Sequence, residues 1–126
     1  QGDNIERLHD YIDRGVLLKK SFDYEELLEI QLLEVEHRVL SIPDCSCLFH
    51  ARSLSAQLLT GDAALRKTAE QAGISVHGIL WVLEELVKHE VVTKDTAHAK
   101  LHQLLAINPR LPRSECRKRL MKWKEE

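Results

Sequence analysis

Two aspartates stand where a hard cation would be held. Asp44 follows Ser41, Ile42 and Pro43, a helix-start signal, and Asp62 follows the short apolar run Leu58-Leu59-Thr60 and a turn at Gly61. Both fall at predicted helix N-termini, and Asp62 stands just beyond a predicted strand. In open α/β sheets, ligands bind beyond the carboxyl ends of the strands. Two carboxylates there suit Mg²⁺ or Mn²⁺, which take oxygen ligands and keep several waters. An ion so held generates hydroxide and braces the phosphorus of a phosphodiester. The same residues also have an ordinary reading. Aspartate at an N-cap or in a first turn is favoured by orphan N–H groups and by the helix dipole.

The other reactive side chains form weaker constellations. His98 and His102 are four apart on a predicted helix, a spacing that zinc sites use, but no Glu follows His98 and no third ligand is obvious. A solvated helix face accounts for them. Cys45 and Cys47 are separated by one residue rather than two, so no redox motif forms. Both read as small buried hydrophobes, and Cys116 falls on an apolar stripe. Arg110, Arg113, Arg117, Lys118, Arg119, Lys122 and Lys124 make a locally positive tail. It suits RNA phosphate, or it is the solvated face of a terminal helix. The stretch 65–92 also fits a helix-turn-helix, with a helix over 65–72, a turn over 73–75 and a recognition helix from Val76. Such a helix reads base edges with polar or basic groups. This one offers His77, Ile79, Leu80, Trp81, Glu84 and Glu85, apolar where it would read and acidic where it would attract.

The elements that must position these residues belong to an ordinary single domain. The chain has 126 residues, 44% hydrophobic and 30% charged, which excludes a disordered chain. No apolar run approaches the ~20 residues that span a bilayer. The N-terminus has no signal-peptide character. The net charge of −2 makes no overall demand for nucleic acid or an anionic membrane, and 5% aromatic content disfavours a base-stacking platform. Three cysteines, an odd count, fit reduced thiols in the cytoplasm.

Periodicity predicts a helix over 4–13 ended by Gly15, a strand over 16–22, and a helix over 23–39 capped by Asp23, with Tyr24, Leu27, Leu28, Leu32 and Val35 as its stripe. Ser41 and Asp44 form a capping box for a helix to Leu54, with Cys47, Leu48, Ala51 and Leu54 inward. Then come a strand over 57–60, a helix over 63–72 capped by Asp62, a strand over 74–77, and an apolar helix over 78–88. A helix over 96–107, a two-proline connector and a last helix capped by Ser114 complete the chain. Alternating strands and helices argue for an α/β layer with parallel strands.

The run Ser41-Ile42-Pro43-Asp44, followed by Leu58-Leu59-Thr60-Gly61-Asp62, resembles the PIN-domain family. These are metal-dependent ribonucleases, many of them toxins of bacterial toxin–antitoxin pairs. The short Val76-His77-Gly78 strand and the apolar helix over 79–86 continue the likeness. The connector "INPRLP" resembles a bacterial PIN-like subgroup. The resemblance covers roughly residues 8–123. It implies a five-stranded parallel sheet and four acidic metal ligands, the first ending an opening strand and the second, a Glu, near an early helix. This chain opens in a helix, with no opening strand and no counterpart of the first Asp, and neither Asp3 nor Glu6 has the context of the second acid.

What the resemblance implies is therefore partial. Asp44 and Asp62 carry over as metal ligands and catalytic residues, with Thr60 as the hydroxyl beside them. Mg²⁺ or Mn²⁺ is the implied cofactor. RNA is the implied substrate, with Arg66, Lys67, Arg113 and Arg117 as its candidate contacts. The implied fold is α/β and PIN-like, a parallel sheet flanked by helices, N-terminally incomplete, with a helical C-terminal extension. Its parts are a PIN-like portion over 3–92 and the extension with a basic tail over 93–126. The implied function is metal-dependent RNA phosphodiester hydrolysis, cytoplasmic and possible as a toxin, with activity lost in a chain short of two acids. Alternatives are a helix-turn-helix DNA-binding regulator and a non-catalytic interaction module. Expected protein partners are an antitoxin and a second copy of the chain, with no membrane. Gln1-Gly2 reads as the remnant of a cleaved tag and the chain as part of a longer protein. A missing central strand leaves unpaired edges, so the chain either pairs 16–22 with 57–60 or self-associates through strand exchange or helix packing, the second being preferred.

Overall fold

The computed structural model describes residues 2–124, with side chains from Asn4 onward; Gln1 of the expected tag remnant and the side chain of Asp3 lie outside the described residues. The chain divides into two compact units, Gln1–Cys45 and Ser46–Glu126. Among the described residues there are seven helices and one two-stranded parallel sheet.

The first unit opens with α1 (Gly2–Asp13). Gly15 ends it at φ +75°, a left-handed conformation that costs glycine little, and donates its N–H to the Ile12 carbonyl at 3.0 Å. The expected strand over 16–22 does not form. The N–H groups of Val16 and Leu17 turn back to the Tyr11 carbonyl at 3.0 and 3.2 Å, so the donors a ladder would use close the end of α1 instead. Val16, Leu17 and Leu18 are exposed.

α2 (Tyr24–Glu36) starts on a complete capping box. The Glu26 N–H donates to Asp23 Oδ1 at 2.8 Å, and the Asp23 N–H donates to Glu26 Oε1 at 2.9 Å. It stops at Glu36 rather than Val39, because the chain turns from His37, whose carbonyl accepts the Leu40 N–H at 2.9 Å. That turn buries Leu40 and leaves Val39 outside. The expected stripe is also corrected. Ile30 and Leu33 are the buried residues of α2, whereas Tyr24, Leu27, Leu28, Leu32 and Val35 are exposed. The helix is apolar on two sides, and periodicity finds such stripes without saying which one the chain covers.

α3 (Ile42–Leu54) begins in the first unit and continues into the second. Cys45, Leu48, Phe49 and Ala51 are buried, while Cys47 and Leu54 are exposed. Cys47 is two residues beyond Cys45, about 200° around the helix, so the two cannot share one face.

In the second unit, β1 (Leu58–Leu59) pairs in parallel with β2 (Val76–His77), with Leu58 opposite Val76 and Leu59 opposite His77. The expected strands are found shortened to two residues each, the first at the centre of 57–60 and the second at the C-terminal end of 74–77. α4 (Ala63–Gln71) makes the crossover and buries Leu65 and Ala69. Gly73, at φ +81°, releases the chain from the helix end. Because Val76 and His77 form a strand, no recognition helix starts at Val76, and the helix-turn-helix reading fails on its second helix. α5 (Ile79–Lys88) starts only after Gly78.

α6 (Lys94–Ile107) begins two residues before the expected Thr96, since Thr93 is its cap and accepts the Thr96 N–H at 3.1 Å. α7 (Arg113–Lys124) begins one residue before Ser114; the Pro112 carbonyl accepts the Cys116 N–H at 3.0 Å, so Ser114 lies inside the first turn. α5, α6 and α7 share one core of Leu83, Ala97, Leu101, Cys116 and Trp123.

Candidate functional site

Leu59 is the last residue of β1, and the chain leaves the sheet through Thr60 and Gly61. Thr60 stays tied to the neighbouring strand, its N–H donating to the His77 carbonyl at 3.0 Å. Its Oγ1 accepts the Asp62 N–H at 3.1 Å. Asp62 is extended, as an N-cap must be, and its Oδ2 accepts the Leu65 N–H at 2.8 Å. The structure thus brings Thr60 and Asp62 together at the carboxyl end of a parallel strand. Asp62 is exposed and Thr60 half-buried.

Asp44 belongs to the first unit. It is half-buried and closes the expected capping box. Its own N–H donates to Ser41 Oγ at 3.2 Å, and its Oδ2 accepts the Ser41 N–H at 3.1 Å. Next to it the Cys45 thiol is pushed up by burial, and further by the negative charges of Glu34 and Asp44. That thiol is a protected, neutral group, in keeping with a packing role.

Each aspartate therefore spends one carboxylate oxygen on a cap. Among the described residues no group of three or more His, Cys, Asp or Glu side chains is placed to hold a metal ion. Mg²⁺ requires a near-ideal octahedron of oxygens. The described residues do not complete such a site. His98 and His102 meet edge to face at 4.8 Å between ring centroids, without a third ligand among the described residues.

The expected cations are distributed unequally. Lys118, Arg119 and Lys122 of the tail are in ion pairs. Arg119 meets Glu84 at 3.3 Å and Glu115 at 3.0 Å, Lys118 meets Glu115 at 3.2 Å, and Lys122 meets Glu84 at 3.2 Å. The two contacts to Glu84 link α7 to α5, the two to Glu115 stay within α7, and together they pair three cations of the tail. Arg113 and Arg117 are exposed and border a small cavity of about 220 Å³ over Leu105, Cys116 and Leu120. Lys67 is exposed on α4. Arg66 is half-buried, its Nη1 making two long contacts, 3.4 Å to the Val76 carbonyl and 3.8 Å to Glu70.

Arg66 also borders a cleft of this unit. The cleft, of about 700 Å³, lies at the carboxyl ends of the two strands, between Thr60 and Gly61 on one side and Gly78 and Ile79 on the other. Its far wall is the connector between α6 and α7, with Asn108, Arg110 and Leu111. Arg110 was marked from sequence only as one cation of the basic tail that suits RNA phosphate, and Asn108 only as part of the connector. The "INPRLP" run marked the connector, but nothing local in it says that it folds back to the strand ends.

A family model described as a PIN domain matches residues 4–125. No curated protein and no solved structure gives a significant match.

Proposed function

This chain belongs to the PIN-domain family, a nuclease-type family, and on that premise we propose that it is directed at RNA. In this reading Asp44 and Asp62 are two of the acids that face a Mg²⁺ or Mn²⁺ ion, and Thr60 is the hydroxyl beside them. The observation that carries it is the Thr60–Asp62 turn, which holds a hydroxyl and an exposed carboxylate at the carboxyl end of a parallel strand, where such sheets bind ligands. Residues 3–92 supply the acids and residues 93–126 a helical extension with cations.

Two acids are too few. An ion held by Asp44 and Asp62 alone is short of protein oxygens, so the proposed behaviour of this chain is RNA binding with poor or no hydrolysis. Binding of a fluorescein-labelled single-stranded RNA, followed by anisotropy, tests the reading. Saturable binding that weakens with salt is expected. No binding at protein concentrations up to roughly 100 μM, the weak end of non-specific association, overturns it.

The interaction-module reading has one observation in its favour. The face of α2 formed by Tyr24, Leu28, Leu32 and Val35 is exposed and apolar, and exposed apolar patches mark interaction sites. A second copy of the chain is the proposed occupant, an antitoxin protein the alternative for a toxin-type role, and the cytoplasm the proposed location.

A further inference from the structure

Ala97 and Leu101 of α6 are buried at 0% exposure in the core shared with α5 and α7. They fix the rotation of the helix, and each is followed by a histidine. His98 is half-buried and His102 exposed, at the border between that core and solvent. Four residues apart, they share one face of the helix. Their rings meet, with centroids 4.8 Å apart and planes at 67°. Other histidines of the chain are engaged differently. His37 lies 3.7 Å from Glu36, His89 lies 3.4 Å from Glu85, and His77 stacks on Trp81. Neither His98 nor His102 has a carboxylate partner among the described residues.

That spacing is the spacing of a chelate. An imidazole bound at ~2.0–2.1 Å carries its ring centroid roughly 3.2 Å from the ion. Two such rings at square or tetrahedral angles therefore stand about 4.5–5.2 Å apart, and the observed 4.8 Å falls within that range. The rings now meet edge to face, so one must turn about its χ2, a broad torsion, to aim its nitrogen at the ion. We infer that His98 and His102 together chelate a late first-row divalent ion of the Ni²⁺, Cu²⁺ and Zn²⁺ class. Imidazole nitrogen suits these ions, whereas carboxylate oxygen suits Mg²⁺ and Mn²⁺. The site is thus separate in chemistry from the Asp44 and Asp62 pair and does not depend on the RNA-directed reading. No third His, Cys, Asp or Glu joins the two rings among the described residues, so water fills the ion's remaining positions. Lys94 and Asp95, a turn before His98, bring opposite charges and leave the choice of ion to the imidazoles.

The test is calorimetric titration of the whole chain with Ni²⁺, which does not oxidise thiols as Cu²⁺ does. A ligating imidazole must be neutral, so the titration is run at about pH 8. The proteins are wild type, His98→Gln, His102→Gln, and two controls at exposed donors elsewhere, His9→Gln and Cys47→Ser. Wild type is expected to take one ion. Loss of either imidazole is expected to weaken binding about a hundredfold, the low end of what a second tethered contact adds. The two controls bind as wild type does, and a large excess of Mg²⁺ leaves the titration unchanged. Thermal melts give a second readout. Ni²⁺ raises the Tm of wild type and of neither histidine variant, because the unfolded chain does not hold the two rings one turn apart. If one variant loses its circular-dichroism spectrum, the other stands in for it. Equal binding by wild type, His98→Gln and His102→Gln overturns the inference, as does displacement of Ni²⁺ by Mg²⁺, the mark of an oxygen site. No binding by wild type up to ~1 mM Ni²⁺ overturns it as well. None of these results bears on the RNA reading, which uses other residues.

Discussion

Ser41 and Asp44 cap one helix reciprocally, Ser41 Oγ accepting the Asp44 N–H at 3.2 Å and Asp44 Oδ2 accepting the Ser41 N–H at 3.1 Å. A residue proposed as a metal ligand is thus also a fastening of α3. Substituting it tests both roles unless the two are separated. Asp44→Ala is expected to lower stability by about 1 kcal/mol, the usual worth of such a cap, whereas Asp44→Asn keeps an acceptor and costs less. Urea unfolding measures both. In a double-mutant cycle Ser41→Ala and Asp44→Ala should cost less together than the sum of the single changes, because they share the same pair of hydrogen bonds. Strict additivity would contradict the box.

The three thiols should be distinguishable by labelling. Cys47 is exposed, while Cys45 and Cys116 are buried at 0% and 1% exposure. Burial also pushes both buried thiols up, and at Cys116 the Arg119 cation only partly opposes it. A disulfide reagent at neutral pH is expected to take one thiol quickly, and the other two only on unfolding. Mass spectrometry that finds Cys116 modified as fast as Cys47 would contradict the packing of α7 on α5 and α6.

Glu115 should make the fold sensitive to acid. The hydrogen bond from Arg119, then that from Lys118, hold its carboxyl below the ordinary value of 4.5. A carboxyl lowered in the folded state stabilises it above that ordinary value, and the benefit is lost as pH falls through the folded-state value. Wild type should therefore lose stability below about pH 4.5 more steeply than Glu115→Gln, while the two run parallel at neutral pH. The difference is small, because Glu115 is exposed and its pairs are screened. Thermal melts over an acid series measure it, and identical slopes for the two proteins would remove Glu115 from the account.

Self-association is expected through α2. Tyr24, Leu28, Leu32 and Val35 are spaced four, four and three apart and share one face, and Leu32 is 67% exposed. With no strand over 16–22, strand exchange from that segment loses its basis and the helix face remains. Light scattering at micromolar concentrations should show a dimer or larger, and the pair Leu28→Lys and Leu32→Lys should shift it towards monomer. A strict monomer across that range would contradict the proposal.

The parts of the fold that were legible in the sequence are those fixed by local hydrogen bonds. The caps at Asp23, Ser41, Asp62 and Gly78 and the left-handed glycines at 15 and 73 each depend on a few neighbouring residues. The strand over 16–22 was misread because a strand depends on a distant partner, and here helix α1 takes its donors. The face of α2 was misread because two apolar sides look alike until something covers one of them. The site followed the same rule. Thr60 and Asp62 are two residues apart and were found together, whereas Arg66 and Arg110 come to one cleft only through the packing of α6 and α7, which no local spacing reveals.

The most direct measurement is a cleavage assay on labelled single-stranded RNA with wild type and Asp62→Asn, in Mn²⁺ and in excess chelator. Asp62→Asn keeps an oxygen for the Leu65 N–H that Asp62 now accepts at 2.8 Å, so it removes the charge and spares the cap. The account predicts that both proteins bind the RNA and leave it essentially intact, because two carboxylates do not complete the ion's coordination. Robust Mn²⁺-dependent cleavage by wild type, abolished in Asp62→Asn, would contradict it.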